Sequence, residues 1–298
     1  MTVKIGINPL TWTNDDLPSL GANTPLEQCL SEGREAGYSG FELGNKFPRK
    51  SEELNAVLKT HDLSLVSGWF SGKLLSHSVE EELTAIEDHL QLLKKGGATV
   101  MVYCEVTGCV HGERMVPVSQ RPTLKHTDWQ DFGQRLSQVA DYCLSQGVQL
   151  AYHHHMGTVV ESAQDIDYLM QNTKPSLGLL LDTGHLTFAG ANPLDVATKY
   201  ADRIIHFHAK DIRGHILKDA KNRDLSFLEA VLNGVFTVPG DGDVDYLPIF
   251  KLLKSQGYDG WIVVEAEQDP AIAHPLTYAK LGFKNLQNFA ASAGLTIN

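Results

Sequence analysis

Cysteine is scarce: the 298 residues include only Cys29, Cys104, Cys109 and Cys143, none in CxxC spacing. A chain this long builds an apolar core without covalent staples, so the scarcity argues against a disulfide scaffold and predicts reduced, incidental thiols. Basic charge is also short. Asp and Glu outnumber Lys and Arg by 36 to 25, a formal net charge of −11, which opposes a phosphate backbone and argues against nucleic acid as a partner. No apolar run approaches the roughly 20 residues that a membrane-spanning helix needs. The opening MTVKIGINPLTW shows no basic start followed by a long apolar stretch and a cleavage site, so a cytoplasmic protein is expected. With no low-complexity tract, linker or composition break, a single domain over residues 1–298 is expected.

Regular alternation of two kinds of segment runs through the chain. Eight short apolar, β-prone runs occur at 3–8, 39–44, 63–69, 98–105, 148–154, 176–182, 203–209 and 260–267. Continuous apolar runs of this length fit strands buried on both faces of a parallel sheet. Between them lie helix-compatible stretches, among them 24–36, 51–61, 79–95, 128–145, 161–171 and 247–256. In the third of these, Leu83, Ile86, Leu90 and Leu93 recur at helical spacing. Glycine separates helix from strand in EAGYSG, KKGGAT, SQGVQL and SQGYDG. Eight such alternations predict an α/β fold, a (β/α)8 TIM barrel, although an open doubly wound sheet has the same pattern. The longest irregular stretches, 106–127 and 210–243, follow strands and would lie at the C-terminal face, where barrel active sites are built.

Four segments of the second half carry chemistry: AYHHHMGT (151–158), LLLDTGH (179–185), IIHFHAKD (204–211) and WIVVEAEQ (261–268). Each is an apolar run ending in His, Asp or Glu, and together they predict one divalent-metal site of mixed nitrogen and oxygen donors, suited to Mn²⁺, Co²⁺, Fe²⁺ or Zn²⁺. Residues two apart on a strand share a face, which pairs His153 with His155, His206 with His208 and Glu265 with Glu267. Simpler readings compete: an Asp after an apolar run is commonly a helix N-cap, and a Glu at a strand end a solvated charge. Lys73 could neutralise an oxyanion in catalysis, orient a substrate hydroxyl, or be a solvated loop lysine. Trp12 and Trp69 could wall a ligand or pack the core. Arg213 could offer its fork of donors to substrate, although the charged run 210–224 reads by default as a solvated loop. PGDGD (239–243) lacks the Lys and Ser/Thr of a phosphate loop and reads as a turn.

The alternation, together with DTGH (182–185), HFHAKD (206–211) and VPGDGDVDY (238–246) before GWIVVEAE, resembles the xylose-isomerase-like barrels. GINPLTWTNDDLPSLG, GFELGNKFP, GWFSG and YHHHMGT extend the likeness, over nearly the whole length, to the inosose dehydratases within them. The resemblance implies metal ligands at His153, Asp182, His208 and Glu265. Many relatives have Glu where His153 stands, so Glu105 is the alternative fourth ligand. It further implies substrate contact at His185, Mn²⁺ or Co²⁺ as cofactor, a glutathione requirement, compatibility with a homo-oligomer, and dehydration of a cyclic polyol ketone, 2-keto-myo-inositol. A metal-dependent sugar isomerase or epimerase is the alternative, because the same stabilised enolate can be reprotonated instead of losing water. A general base is required in either case; His155 is the first candidate, followed by Glu105 and His185.

Overall fold

The structure, a computed structural model, describes residues 2–298. Seven parallel strands lie side by side in chain order: β1 (Thr2–Ile7), β2 (Gly40–Leu43), β3 (Ser64–Gly72), β4 (Val100–Glu105), β5 (Gln149–His153), β6 (Leu177–Asp182) and β7 (Ile204–Ala209). A separate antiparallel pair follows, β8 (Asp211–Ile212) with β9 (Phe236–Thr237). Then β10 (Trp261–Val264) pairs with β7 on one side and β1 on the other, Ile5 opposite Ile262, which closes an eight-stranded parallel barrel. The short β11 (Thr296–Ile297) adds to the start of β1. Ring closure decides between the two sheet arrangements that the alternation allowed.

Helices pack around the barrel because each offers it one apolar face. Helix Val79–Gly96 is representative: Ser78 and Glu81 form a reciprocal capping box, Ile86, Leu90 and Leu93 are buried, and Gly97 ends the helix at φ 84°. Burying each such side chain contributes roughly 1.5–3 kcal/mol. Inside the barrel a smaller cluster of Val102, Ala151 and Leu180, flanked by Trp69, Val100 and Ile205, fills the space between strands. Close packing there needs small residues: a Cβ on Gly178 would lie 2.3 Å from Ile205 Cδ1.

The stretch 210–243 is not irregular. It contains helices Gly214–Asn222 and Phe227–Leu232 besides the β8–β9 pair, and it builds its own core from Ile212, Phe227, Leu228, Val231 and Phe236 with Phe188. Its many charges hid an apolar stripe. The stretch 106–127 does lack long elements and is fastened by Arg121, which reaches Asp165 at 2.8 Å and the Thr158 and Val159 carbonyls at 3.2 Å. All four cysteines are unpaired. Among the described residues no helix is long and apolar enough to cross a membrane.

Candidate metal centre

The C-terminal ends of β5, β6, β7 and β10 bring His153, Asp182, His208 and Glu265 together, one potential ligand atom from each lying within 4.8 Å of the others, all buried. Strand register produces this: Asp182 is opposite His208, and His208 opposite Val263, two residues before Glu265. The His153 Nδ1–H donates to the His154 carbonyl at 2.7 Å, which leaves its Nε2 lone pair 3.7 Å from Asp182 Oδ2. Asp182 is the N-cap of helix Thr183–Ala189, its Oδ1 accepting the His185 N–H at 2.7 Å. Its other oxygen, Oδ2, is buried without a hydrogen-bond partner. The capping and metal-binding readings of this residue are therefore compatible, one oxygen to each.

His208 is oriented from behind. Its Nε2 faces Glu42 Oε1 at 3.0 Å, while Nδ1 points inward, 2.7 Å from Glu265 Oε2 and 3.6 Å from Asp182 Oδ2, without hydrogen-bond geometry to either. Glu42 also receives Asn8 Nδ2 at 2.7 Å, Ser67 Oγ at 2.6 Å and His206 Nε2 at 2.8 Å. A carboxylate behind an inward-facing imidazole is how metal-binding histidines are commonly aligned. Two nitrogens and two carboxylate oxygens converge, and orphaned buried atoms cost about 1–3 kcal/mol each. These donors fit a divalent cation of the Mn²⁺, Co²⁺, Fe²⁺ or Zn²⁺ type.

The electrostatics agree with this fit. Burial acts to lower the His208 imidazolium, but Glu265 and Glu42 outweigh it and raise its pKa well above the usual value. Burial opposes Glu265 ionisation, yet His208 and Lys210 hold its carboxyl well below the ordinary range. Burial, reinforced by His208, pushes His153 well down and leaves a neutral imidazole with a free lone pair.

A second group lies beside the first. His155 Nδ1–H donates to the Met156 carbonyl at 2.8 Å, and its ring centroid is 4.0 Å from that of His185. Burial, then the charge of His111, lowers the His155 pKa well below normal. Lys210 is fully buried rather than solvated, with Nζ 2.6 Å from Glu265 Oε1 and 3.2 Å from Glu267 Oε2. Burial raises Glu267 to about 7, against the opposing pull of Lys210, and Asn14 Nδ2 donates to its Oε1 at 3.1 Å.

Above the metal group, Asn8, Leu10, Asp15, Asp16, Trp69, His155 and Glu267 line a cavity at the barrel mouth. Trp69 stands edge-on to His153 and His155, at ring separations of 5.4 and 5.6 Å. The other candidates lie elsewhere. Trp12 is buried in the outer core against Phe41, its Nε1–H donating to Glu32. The Lys73 side chain is exposed outside the cavity lining. Arg213 spends its fork on the Gly234 and Phe236 carbonyls, Thr237 and Asp241, holding the 210–243 segment together. Glu105 lies outside the metal group; its oxygens accept from the Thr107 and Leu75 N–H groups at 2.9 and 3.3 Å. Sequence reasoning missed Glu42 and Lys210 and assigned no role to Glu267. The period-two spacing in VVEAEQ marked Glu267; Glu42 stands within the run 39–44, but its histidine partners are 164 and 166 residues away.

A family model described as a xylose isomerase-like TIM barrel matches residues 30–289. The rhizopine catabolism protein MocC of Rhizobium meliloti is 50% identical over 298 residues, covering 100% of this chain and 92% of the relative. An inosose dehydratase of Clostridium tetani is 43% identical over 291 residues, covering 97% and 98%. Among solved structures, one described as IOLI protein with a bound zinc atom has a TM-score of 0.66 at 16% identity, covering 98% of both chains. At that identity the structural likeness concerns the fold alone.

Proposed function

This chain belongs to the xylose isomerase-like TIM barrel family, and we propose that within it the chain is a metal-dependent hydro-lyase that removes water from 2-keto-myo-inositol, giving a deoxy diketo-inositol in inositol catabolism. The observation that carries the reading is the convergence of four buried donor atoms, Asp182 Oδ2 among them without a partner, at the floor of the mouth. The relatives named inosose dehydratase supply the substrate class. A divalent cation held by His153, Asp182, His208 and Glu265 would supply Lewis-acid stabilisation of the oxyanion that develops beside a ketone as its neighbouring proton leaves. His155 is the base: Nδ1 is tied to Met156, its depressed pKa keeps it neutral, and Nε2 is free to accept that proton. Glu267, with a pKa of about 7, carries the proton that leaves with the departing hydroxyl as water. The Trp69 ring, edge-on to His155, bounds the substrate, and His185 packs at a tilt behind His155.

Mn²⁺ or Co²⁺ is the proposed cation, and a glutathione requirement is carried with it from the family resemblance. Purified protein incubated with 2-keto-myo-inositol should develop ultraviolet absorbance of the diketone or enone only with the metal present, and His155→Ala should abolish it. Ketose interconversion without absorbance would replace the dehydratase by an isomerase. Leaving glutathione out of the reaction tests that requirement. The 50% identical relative favours a second reading, the same chemistry on a compound of rhizopine catabolism. Comparing kcat/KM on the two substrates separates them.

A further inference from the structure

Beside the metal group, His155, His185 and Glu267 form a second convergence, three buried donor atoms within 4.8 Å of one another. Adjacent ligand sets of this kind are the layout of a two-cation site. An ammonium already stands against two of these donors. Lys210, two residues beyond His208, places Nζ 3.2 Å from Glu267 Oε2 and 3.1 Å from His185 Nε2. The same Nζ lies 2.6 Å from Glu265 Oε1, while Glu265 Oε2 turns to the first group, 2.7 Å from His208 Nδ1. Glu265 thus bridges the two positions with one oxygen to each, as a carboxylate shared by two cations does.

We infer that the Lys210 ammonium is the resident second cation of this centre, occupying the position that His155, His185 and Glu267 would offer a divalent ion and so restricting the site to one metal. The inference rests on the metal reading proposed above. A buried ammonium is costly unless paired, and the Glu265 carboxylate pairs this one while Glu267 Oε2 accepts a further hydrogen. Two of its hydrogens face Glu265 and Glu267, and Lys210 is a positioning residue. The stem is held as firmly as the head: a Cβ on Gly184 would lie 2.5 Å from Lys210 Cγ, and the Phe236 ring centroid is 4.6 Å from Nζ.

Metal-stripped protein reloaded with Mn²⁺ and counted by equilibrium dialysis tests this. The wild type should hold one equivalent and Lys210→Ala two, with an exchange-coupled Mn²⁺ pair in the electron paramagnetic resonance spectrum of the variant. The double variant Lys210→Ala with His185→Ala should return to one. One equivalent in both wild type and Lys210→Ala overturns this inference alone; none in the wild type removes the metal reading and this inference with it. If Lys210→Ala does not fold, the wild type still decides. Two equivalents there, falling to one in His185→Ala, overturn the inference, and one equivalent unchanged by His185→Ala supports it.

Discussion

Asp182 divides its work between its two oxygens, and the division is testable. Asp182→Asn keeps an oxygen to cap the helix but loses the inward-facing acceptor. Mn²⁺ affinity, measured by titration calorimetry, should fall by more than the roughly 10–100-fold typical of an outer partner, while the metal-free protein melts no lower. Glu42→Gln should fall within that 10–100-fold range, because it disturbs the support behind His208 without removing one of the four converging donors. Glu267 imposes a pH dependence of its own. Its pKa is raised by burial from 4.5 to about 7, so the folded state binds more protons than the unfolded state between those values. Stability from this group is present below pH 4.5 and lost as pH rises through 7, by up to about 3 kcal/mol. Urea unfolding of the metal-free protein across that range should show a flatter slope in Glu267→Gln.

At the scale of elements, the segment after β7 matters because it carries Lys210 at its start and Phe236 within it. Its conformation depends on Arg213, which ties β9 and the Asp241 turn to β8 with four contacts. Arg213→Ala should cost on the order of 1–3 kcal/mol and speed amide exchange across 210–243. A raised KM with unchanged exchange would instead place Arg213 at the substrate. Arg121 does the same work for 106–127, which brings His111 against His155 at a ring separation of 5.0 Å.

For the whole molecule, a cation that binds only the folded chain raises its stability by mass action, about 2.7 kcal/mol at a concentration of 100 times Kd. Chelation should therefore lower Tm by several degrees and Mn²⁺ restore it, an effect that Asp182→Asn should abolish. The sequence alone determined the alternation of strands and helices, and three of the converging donors, Asp182, His208 and Glu265, sit where DTGH, HFHAKD and VVEAEQ end their runs. Those features are local: apolar periodicity, a cap and a strand-end donor are all read within a dozen residues. Tertiary structure decided the rest. Ring closure of β10 on β1 brings Glu42 behind His208 across 166 residues, burial turns the charged-looking Lys210 into an interior cation, and rotamers tied to Thr107 and Gly234 keep Glu105 and Arg213 out of the site. Which polar groups face one another depends on barrel closure and the direction of each side chain, and neither is encoded in spacing along the chain.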